Sequence, residues 1–170
     1  RIWDAISDPL VGYLSDRTVT PLGRRRIWLL ASVIPISVTF YMVFAPPLGL
    51  TEGQLDWWMA ISIIGFYSSM TLFFVPHMAL GAEMTDDYHE RNKLFGARHF
   101  AYAIGSILSL VSMQLLILAE FGEETDVRAL AEELALLAVV VMGVFLIFAV
   151  FRLKERPEFQ GRMTSTPFSA

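Results

Sequence analysis

The sequence predicts an all-α chain, a polytopic transmembrane helical bundle, from three observations. Hydrophobic residues make up 55% of the 170 residues and charged ones 18%, with a mean hydropathy of +0.52, too apolar for a water-soluble domain of this length. Four long apolar runs, Trp28–Leu50, Trp57–Leu80, Leu94–Ala119 and Leu134–Phe151, each approach the ~20 residues that cross ~30 Å of hydrocarbon. The basic residues between these runs are distributed by side. A soluble bundle with a thick core is set aside because runs of this length leave almost no polar face for water.

The first element is the stretch at 1–14, Arg1-Ile-Trp-Asp-Ala-Ile-Ser-Asp-Pro-Leu-Val-Gly-Tyr-Leu. It carries Asp4 and Asp8, one helical turn apart. A charged side chain at bilayer depth costs roughly 2.5–3.5 kcal/mol on insertion scales, so two on one face call for an ion or proton path. As i,i+4 neighbours their β-carbons lie about 6 Å apart, and both can reach one small ion. Two poorly solvated carboxylates this close cannot both stay bare: one takes a proton, or a cation neutralises the pair. The competing reading is a structural ion pair with Arg1 or Arg98, and Arg1 is expected to pair with Asp4.

The remaining elements follow as spans at about 28–50, 57–80, 94–119 and 134–151. These make a five-helix transmembrane bundle over residues 1–152, with 153–170 expected as a cytoplasmic linker. Of the basic residues, Arg17, Arg24, Arg25, Arg26, Arg91, Lys93, Arg152, Lys154, Arg156 and Arg162 fall on one side and Arg128 alone on the other. The positive-inside rule makes the first side cytoplasmic. The span at 94–119 carries Gly96, Ala97, Ala101, Ala103, Gly105, Ser106, Ser109 and Ser112, which predict close helix contact there. Pro9, Pro35 and Pro76 free the carbonyls of Ala5, Ala31 and Leu72, and the Ala5 oxygen, between the two aspartates, is an additional candidate ligand.

Several classes are excluded. There are no cysteines, hence no disulfide and no thiolate metal site. Phosphate-binding glycine loops, metal-binding histidine spacings and nucleophile triads are also missing, so the chain does not read as an enzyme, and no cofactor or nucleic-acid partner is expected. His77 and His99 read as polar residues at helix ends. Without an initiating Met, and with a first helix that opens on Arg1, the chain reads as a fragment.

The block from Arg1 through Asp4, Asp8-Pro9 and Gly12, then Ser15-Asp16-Arg17 and Gly23-Arg24-Arg25-Arg26, resembles the glycoside–pentoside–hexuronide:cation symporters of the major facilitator superfamily. Val75-Pro76-His77-Met78-Ala79-Leu80-Gly81-Ala82-Glu83 with Glu90-Arg91, and Arg98 seven residues further, is similar to the same family. The resemblance covers essentially all 170 residues and implies helices two to six of twelve, in the N-terminal half of a melibiose permease-like fold. It implies cation-coupled symport of a sugar or related glycoside, pentoside or hexuronide, with Na⁺ or H⁺ as coupling ion and no other cofactor. The cation-binding residues would be Asp4, Asp8 and Thr71, with Asp4 and Asp8 ligating metal only if the ion is Na⁺. Arg98 would lie at the substrate. The partners implied are a small-molecule solute, the coupling cation, membrane lipids and the remaining helices of the same full-length chain, in a plasma (inner) membrane. On physical grounds Arg98 suits sugar hydroxyls, a substrate carboxylate, Asp4 and Asp8, or a lipid phosphate reached by snorkelling.

Two departures from melibiose permease loosen the substrate reading: Phe74 stands where that permease has an aspartate, and Met78 where it has a tryptophan. A lysolipid-type cation symporter and a non-transporting membrane sensor or scaffold are the alternatives. Asp16, Arg17, Gly23, Arg24 and Arg25 are expected to tie the first two spans together on the cytoplasmic side. Glu83, Asp86, Asp87, Glu90 and Arg91 would form a facing set, as gating clamps need. A plain positive-inside anchor is the simpler reading of the same arginines.

Overall fold

Among the described residues of the computed structural model, five helices follow in chain order: α1 (Ile2–Arg17), α2 (Arg26–Phe44), α3 (Glu52–Glu83), α4 (Tyr88–Glu120) and α5 (Val127–Arg152). The structure describes residues 2–85, 87–122 and 126–153, apart from the side chains of Ile2 and Asp4. Arg1, Asp86 and 154–170 therefore lie outside the described residues, and with them the expected Arg1–Asp4 pair and nearly all of the expected linker. The chain is an all-α, multi-pass membrane protein: α2, α3, α4 and α5 are long and apolar enough to cross a bilayer. α1 has 16 residues, about 24 Å, and is shorter than a crossing.

The helix ends are set by local chemistry that hydrophobic runs do not carry. α2 stops at Phe44, six residues before the apolar run does, because Pro46 and Pro47 offer no N–H and push Ala45 off the helical region (φ −126°, ψ 65°). α3 starts at Glu52 because Gln54 Oε1 accepts from the Thr51 N–H at 3.0 Å, one arm of a capping box. α4 starts at Tyr88 because the Asp87 carboxylate accepts from the N–H groups of His89 (2.6 Å) and Glu90 (3.1 Å). α5 starts at Val127 because Asp126 does the same for Arg128 and Ala129.

Packing is centred on α2, which lies against α3 on one side and α5 on the other, while α1 packs on α3. The α2–α3 seam is built from small residues. Ser62, Gly65 and Ser69 fall at i, i+3 and i+7 on α3, and a β-carbon placed at Gly65 would sit 3.1 Å from Thr39 Cγ2. The hydroxyls buried in this seam satisfy themselves. Ser32 donates to Leu29 O (2.8 Å), Ser62 to Trp58 O (2.7 Å) and Ser69 to Gly65 O (2.7 Å). Trp58 crosses the seam and donates its indole N–H to Met42 O at 2.9 Å. At the arginine-rich end, Leu29, Leu80 and Val150 form a buried cluster with Leu30, Phe73 and Leu153 packed on it.

The expected close contact along 94–119 is not where this chain packs tightly. Gly96, Ala97, Ala101, Ala103, Gly105, Ser106 and Ser109 are exposed, and nothing approaches a β-carbon placed at Gly96 or Gly105. α4 touches α5 only lightly. Gly65→Ala in the full-length protein is expected to lower stability by about 1 kcal/mol through overpacking against Thr39. Gly53→Ala, at an open position of the same helix, should not. Thermal unfolding in detergent compares the two, and equal midpoints would refute the seam.

Candidate functional site

α1 lies on α3 with its hydroxyl-bearing face inward. Ser7 sits between the two aspartates in sequence, and its hydroxyl is 3.4 Å from that of Thr71 on α3. Thr71 is buried and also donates to Tyr67 O at 3.3 Å. One turn earlier on α1, the Trp3 indole N–H donates to Ser68 Oγ at 2.8 Å. The contact works because residues 3 and 7 share a helix face, as do residues 68 and 71, so two pairs meet across one groove. Gly12 extends the approach further along, with Val75 at 3.7 Å from its would-be β-carbon.

Of the expected cation residues, Thr71 is thus brought against the turn of α1 that carries Asp4 and Asp8. Asp8 is exposed, and no hydrogen bond or ion pair to a described residue engages it. Asp4 falls on the backbone of α1 one turn before Asp8, and its side chain lies outside the described residues. Ser7 was not among the sequence candidates. The signal was available, since a serine between two aspartates of one helix offers a third oxygen on the adjacent face.

Arg98 stands ten residues into α4, about 15 Å from its start. Its guanidinium donates to Met78 Sδ at 2.7 Å and lies 5.6 Å from the centre of the Phe74 ring. No described carboxylate pairs with it, so Asp8 is not its partner in this structure. Thr71, Phe74 and Met78 recur at i, i+3 and i+7 on α3, so one stripe of α3 links the α1 contact to Arg98. Beside Arg98 a cavity of about 380 Å³ opens between α3 and α4, almost wholly apolar, with His77, Met78, Met84, Phe95 and Leu153 on its wall. His77 stacks on Phe73, with ring centres 5.0 Å apart, and His99 is exposed.

The loop after α1 forms a separate charged site. Gly23 turns the chain at φ +111°, a conformation that favours glycine, and the turn is closed by Gly23 N–H to Thr20 O at 3.0 Å. The turn delivers Arg24 and Arg25, both buried, to Glu83 at the end of α3, at 2.9 Å and 2.7 Å. Arg25 also reaches Asp16 at 3.0 Å, and Arg24 stands 4.0 Å from it. Two guanidinium groups thus share two carboxylates from α1 and α3. Arg26 donates to the Val150 carbonyl in the last turn of α5.

The rest of the expected facing set acts differently. Asp87 caps α4, Glu90 accepts from Thr85 Oγ1 at 2.7 Å, and Arg91 donates to the Ala82 and Thr85 carbonyls. Arg17 lies over the Tyr13 ring at 4.1 Å, away from the cluster. Removing one partner of a buried pair leaves an uncompensated charge. Glu83→Gln is therefore expected to destabilise the full-length protein by about 3 kcal/mol, whereas Arg17→Ala should change stability by less than about 1 kcal/mol. Chemical denaturation in detergent separates them, and comparable losses would show that the cluster carries no special weight.

The family model for MFS/sugar transport protein matches residues 1–168. An uncharacterised symporter of Synechocystis sp. is 34% identical over 163 residues, 92% of this chain and 29% of that protein. The inner membrane symporter YicJ of Escherichia coli is 31% identical over 169 residues, 97% of this chain and 35% of its own length. A sodium-dependent lysophosphatidylcholine symporter of Danio rerio is 30% identical over 109 residues, 64% of this chain and 20% of its own. The chain spans about a third of the length of the bacterial relatives it matches. The match over residues 1–168 shows the family: the chain belongs to the MFS/sugar transport protein family.

Proposed function

We propose that the full-length protein is a melibiose permease-like secondary active symporter of the plasma membrane, coupling a monovalent cation to uptake of a sugar or related glycoside, pentoside or hexuronide. The observation that carries this reading is the Ser7–Thr71 hydroxyl contact beside Asp8. It brings two neutral oxygens together at the residue that precedes Asp8, whose carboxylate has no described partner. Hard cations take oxygen ligands. Asp4 and Asp8 supply the charge, Thr71 and Ser7 the neutral oxygens, and the ion is Na⁺ or H⁺. The names of the bacterial relatives as symporters support the same class.

In this mechanism a cation neutralises the aspartates and lets α1 settle on α3. The Thr71–Phe74–Met78 stripe passes that ordering to Arg98, which meets the solute. Residues 1–152 form part of one helical bundle, and 153–170 link it to the remaining helices. The Asp16–Arg24–Arg25–Glu83 cluster, with Gly23 setting the turn, closes the cytoplasmic side in one state and opens in the other. Arg17, on the Tyr13 ring, and Arg91, on the Ala82 and Thr85 carbonyls, belong to the same loops without entering this gate. A monovalent cation moving through ~100 mV releases about 2.3 kcal/mol, which at 1.36 kcal/mol per decade supports roughly 50-fold accumulation of a neutral solute.

A second reading has one observation in its favour. The apolar cavity beside Arg98, with one cation at its wall, fits an amphiphile with an anionic head, and the zebrafish relative is named for such a substrate. Uptake into proteoliposomes of tritiated methyl glycosides, a pentoside, a hexuronide and lysophosphatidylcholine, under imposed Na⁺ or H⁺ gradients, separates the two. Gradient-driven uptake of a glycoside is expected. A lysolipid response alone would favour the second reading, and no response to either gradient would leave the scaffold alternative. Asp8→Asn is expected to abolish cation stimulation while the protein still folds, and normal stimulation in that variant would remove the cation site.

A further inference from the structure

We propose that Ser68 is a positioning residue for the cation site: by holding the Trp3 indole N–H it sets the register of α1 on α3 that brings Ser7 to Thr71. This rests on the symport reading above and extends it to a residue outside the ion's own ligands. Along the described residues the contacts of α1 with α3 advance together on both helices, Trp3 with Ser68, Ser7 with Thr71 and Gly12 facing Val75. Of the two hydrogen bonds, the first is the short one at 2.8 Å, whereas the Ser7 and Thr71 hydroxyls stand 3.4 Å apart. At that distance a hydroxyl pair is too weak to hold two helices in register. Trp3 and Ser7 are one turn apart on α1, as Ser68 and Thr71 are on α3, so a shift at the first pair is felt at the second.

The two bonds differ in freedom. The Ser68 proton goes to Ile64 O at 2.8 Å, and an indole nitrogen only donates, so the bond from Trp3 to Ser68 has one possible direction. Between Ser7 and Thr71 either hydroxyl can donate, and Thr71 also has Tyr67 O at 3.3 Å as an outlet for its proton. That pair can rearrange when an ion arrives, while the Trp3–Ser68 bond stays as it is. Ser62 and Ser69 also return their protons to their own helix; Ser68 does this and in addition accepts from another helix. Without the Ser68 oxygen the indole N–H loses its described acceptor, and of the described hydrogen bonds between α1 and α3 only the weak hydroxyl pair is left. The Trp3 ring lies on the exposed apolar stripe of α1 with Ile6, Leu10 and Leu14. Only its N–H edge takes part, so the role of Ser68 is the same whatever covers that stripe.

The test is uptake in proteoliposomes of the full-length protein with the tritiated solutes above. The half-activating concentration of the driving cation and the solute KM at saturating cation are read separately. Ser68→Ala should raise the half-activating cation concentration roughly tenfold, the worth of one hydrogen bond, with the solute KM unchanged. Ser68→Thr keeps the acceptor and should stay within about twofold of wild type. Trp3→Phe removes the N–H and keeps a ring, so it should match Ser68→Ala, and the double variant should be no worse than either single one. Unchanged cation activation in Ser68→Ala, beside a cation-driven wild type, overturns the role of Ser68 and leaves the symport reading intact. Solute KM and cation activation that shift together, without rescue by Ser68→Thr, also overturn it, since they mark a general loosening of the bundle. Should Ser68→Ala fail to fold, Trp3→Phe decides, and unchanged cation activation there refutes the proposal. Wild-type protein driven by neither Na⁺ nor H⁺ removes the symport reading, and the proposal with it.

Discussion

Every polar side chain in an apolar span must find a partner inside the protein, because hydrocarbon supplies none. The rest of this structure can be ordered by how each polar group meets that demand. The seam serines return their protons to carbonyls of their own helices, which leaves them neutral enough to pack as small residues. Arg24 and Arg25 share Glu83 and Asp16, so four charges cancel at one end of the bundle. Asp8 and Arg98 are different. Neither finds a described group of opposite charge, although both stand on helices committed to the bundle. Arg17 and Arg91 meet a ring and backbone carbonyls instead of a carboxylate, so charge pairing is concentrated at the arginine cluster among the described residues.

α3 is the element that touches α1, α2, Arg98 and the arginine cluster alike. One face carries Ser62, Gly65 and Ser69 against α2, a second carries Ser68 and Thr71 against α1, and Phe74 and Met78 meet Arg98 of α4. Its last turn holds Glu83, the shared partner of the two arginines. A rotation or shift of α3 would be felt at all four places. The tight α2–α3 seam makes such a movement a rigid-body one, since interdigitated small residues do not shear easily. Arg26 adds a tie from the start of α2 to the last turn of α5, so α2, α3 and α5 form the firmest part of the chain.

Fold class was legible because long apolar runs can hardly mean anything else, and Gly23-Arg24-Arg25 announced a turn delivering cations. The boundaries were less legible, since the runs locate the membrane and the caps locate the helix. Pro46-Pro47, Thr51 with Gln54, Asp87 and Asp126 were all readable as stop and start signals, and they move the ends by five to seven residues from the apolar limits. Choosing Glu83 over Asp87 and Glu90 required three dimensions: all three lie within eight residues, but only Glu83 is on the last turn of α3 facing the α1–α2 turn. The small-residue rule was sound and was applied to the wrong helix. Ser62, Gly65 and Ser69 hide among bulky neighbours, while the denser stripe of α4 faces outward.

The replacement at Phe74 shows how one position redirects an intramembrane charge. A carboxylate at position 74 would stand where the Phe74 ring meets the Arg98 guanidinium, and would neutralise it. With phenylalanine, the guanidinium lies over an aromatic ring and against a thioether, contacts that hold a cation weakly and leave its forked donors available. Arg98 is thus positioned but not neutralised. A neutral polyol can use those donors without bringing a counter-charge, and an anionic head can use them by supplying one. The pocket wall beside Arg98 is apolar, so on the symport reading proposed above discrimination between these ligands would fall to their bodies: a ring that needs a flat aromatic surface, or a chain that needs a greasy cavity.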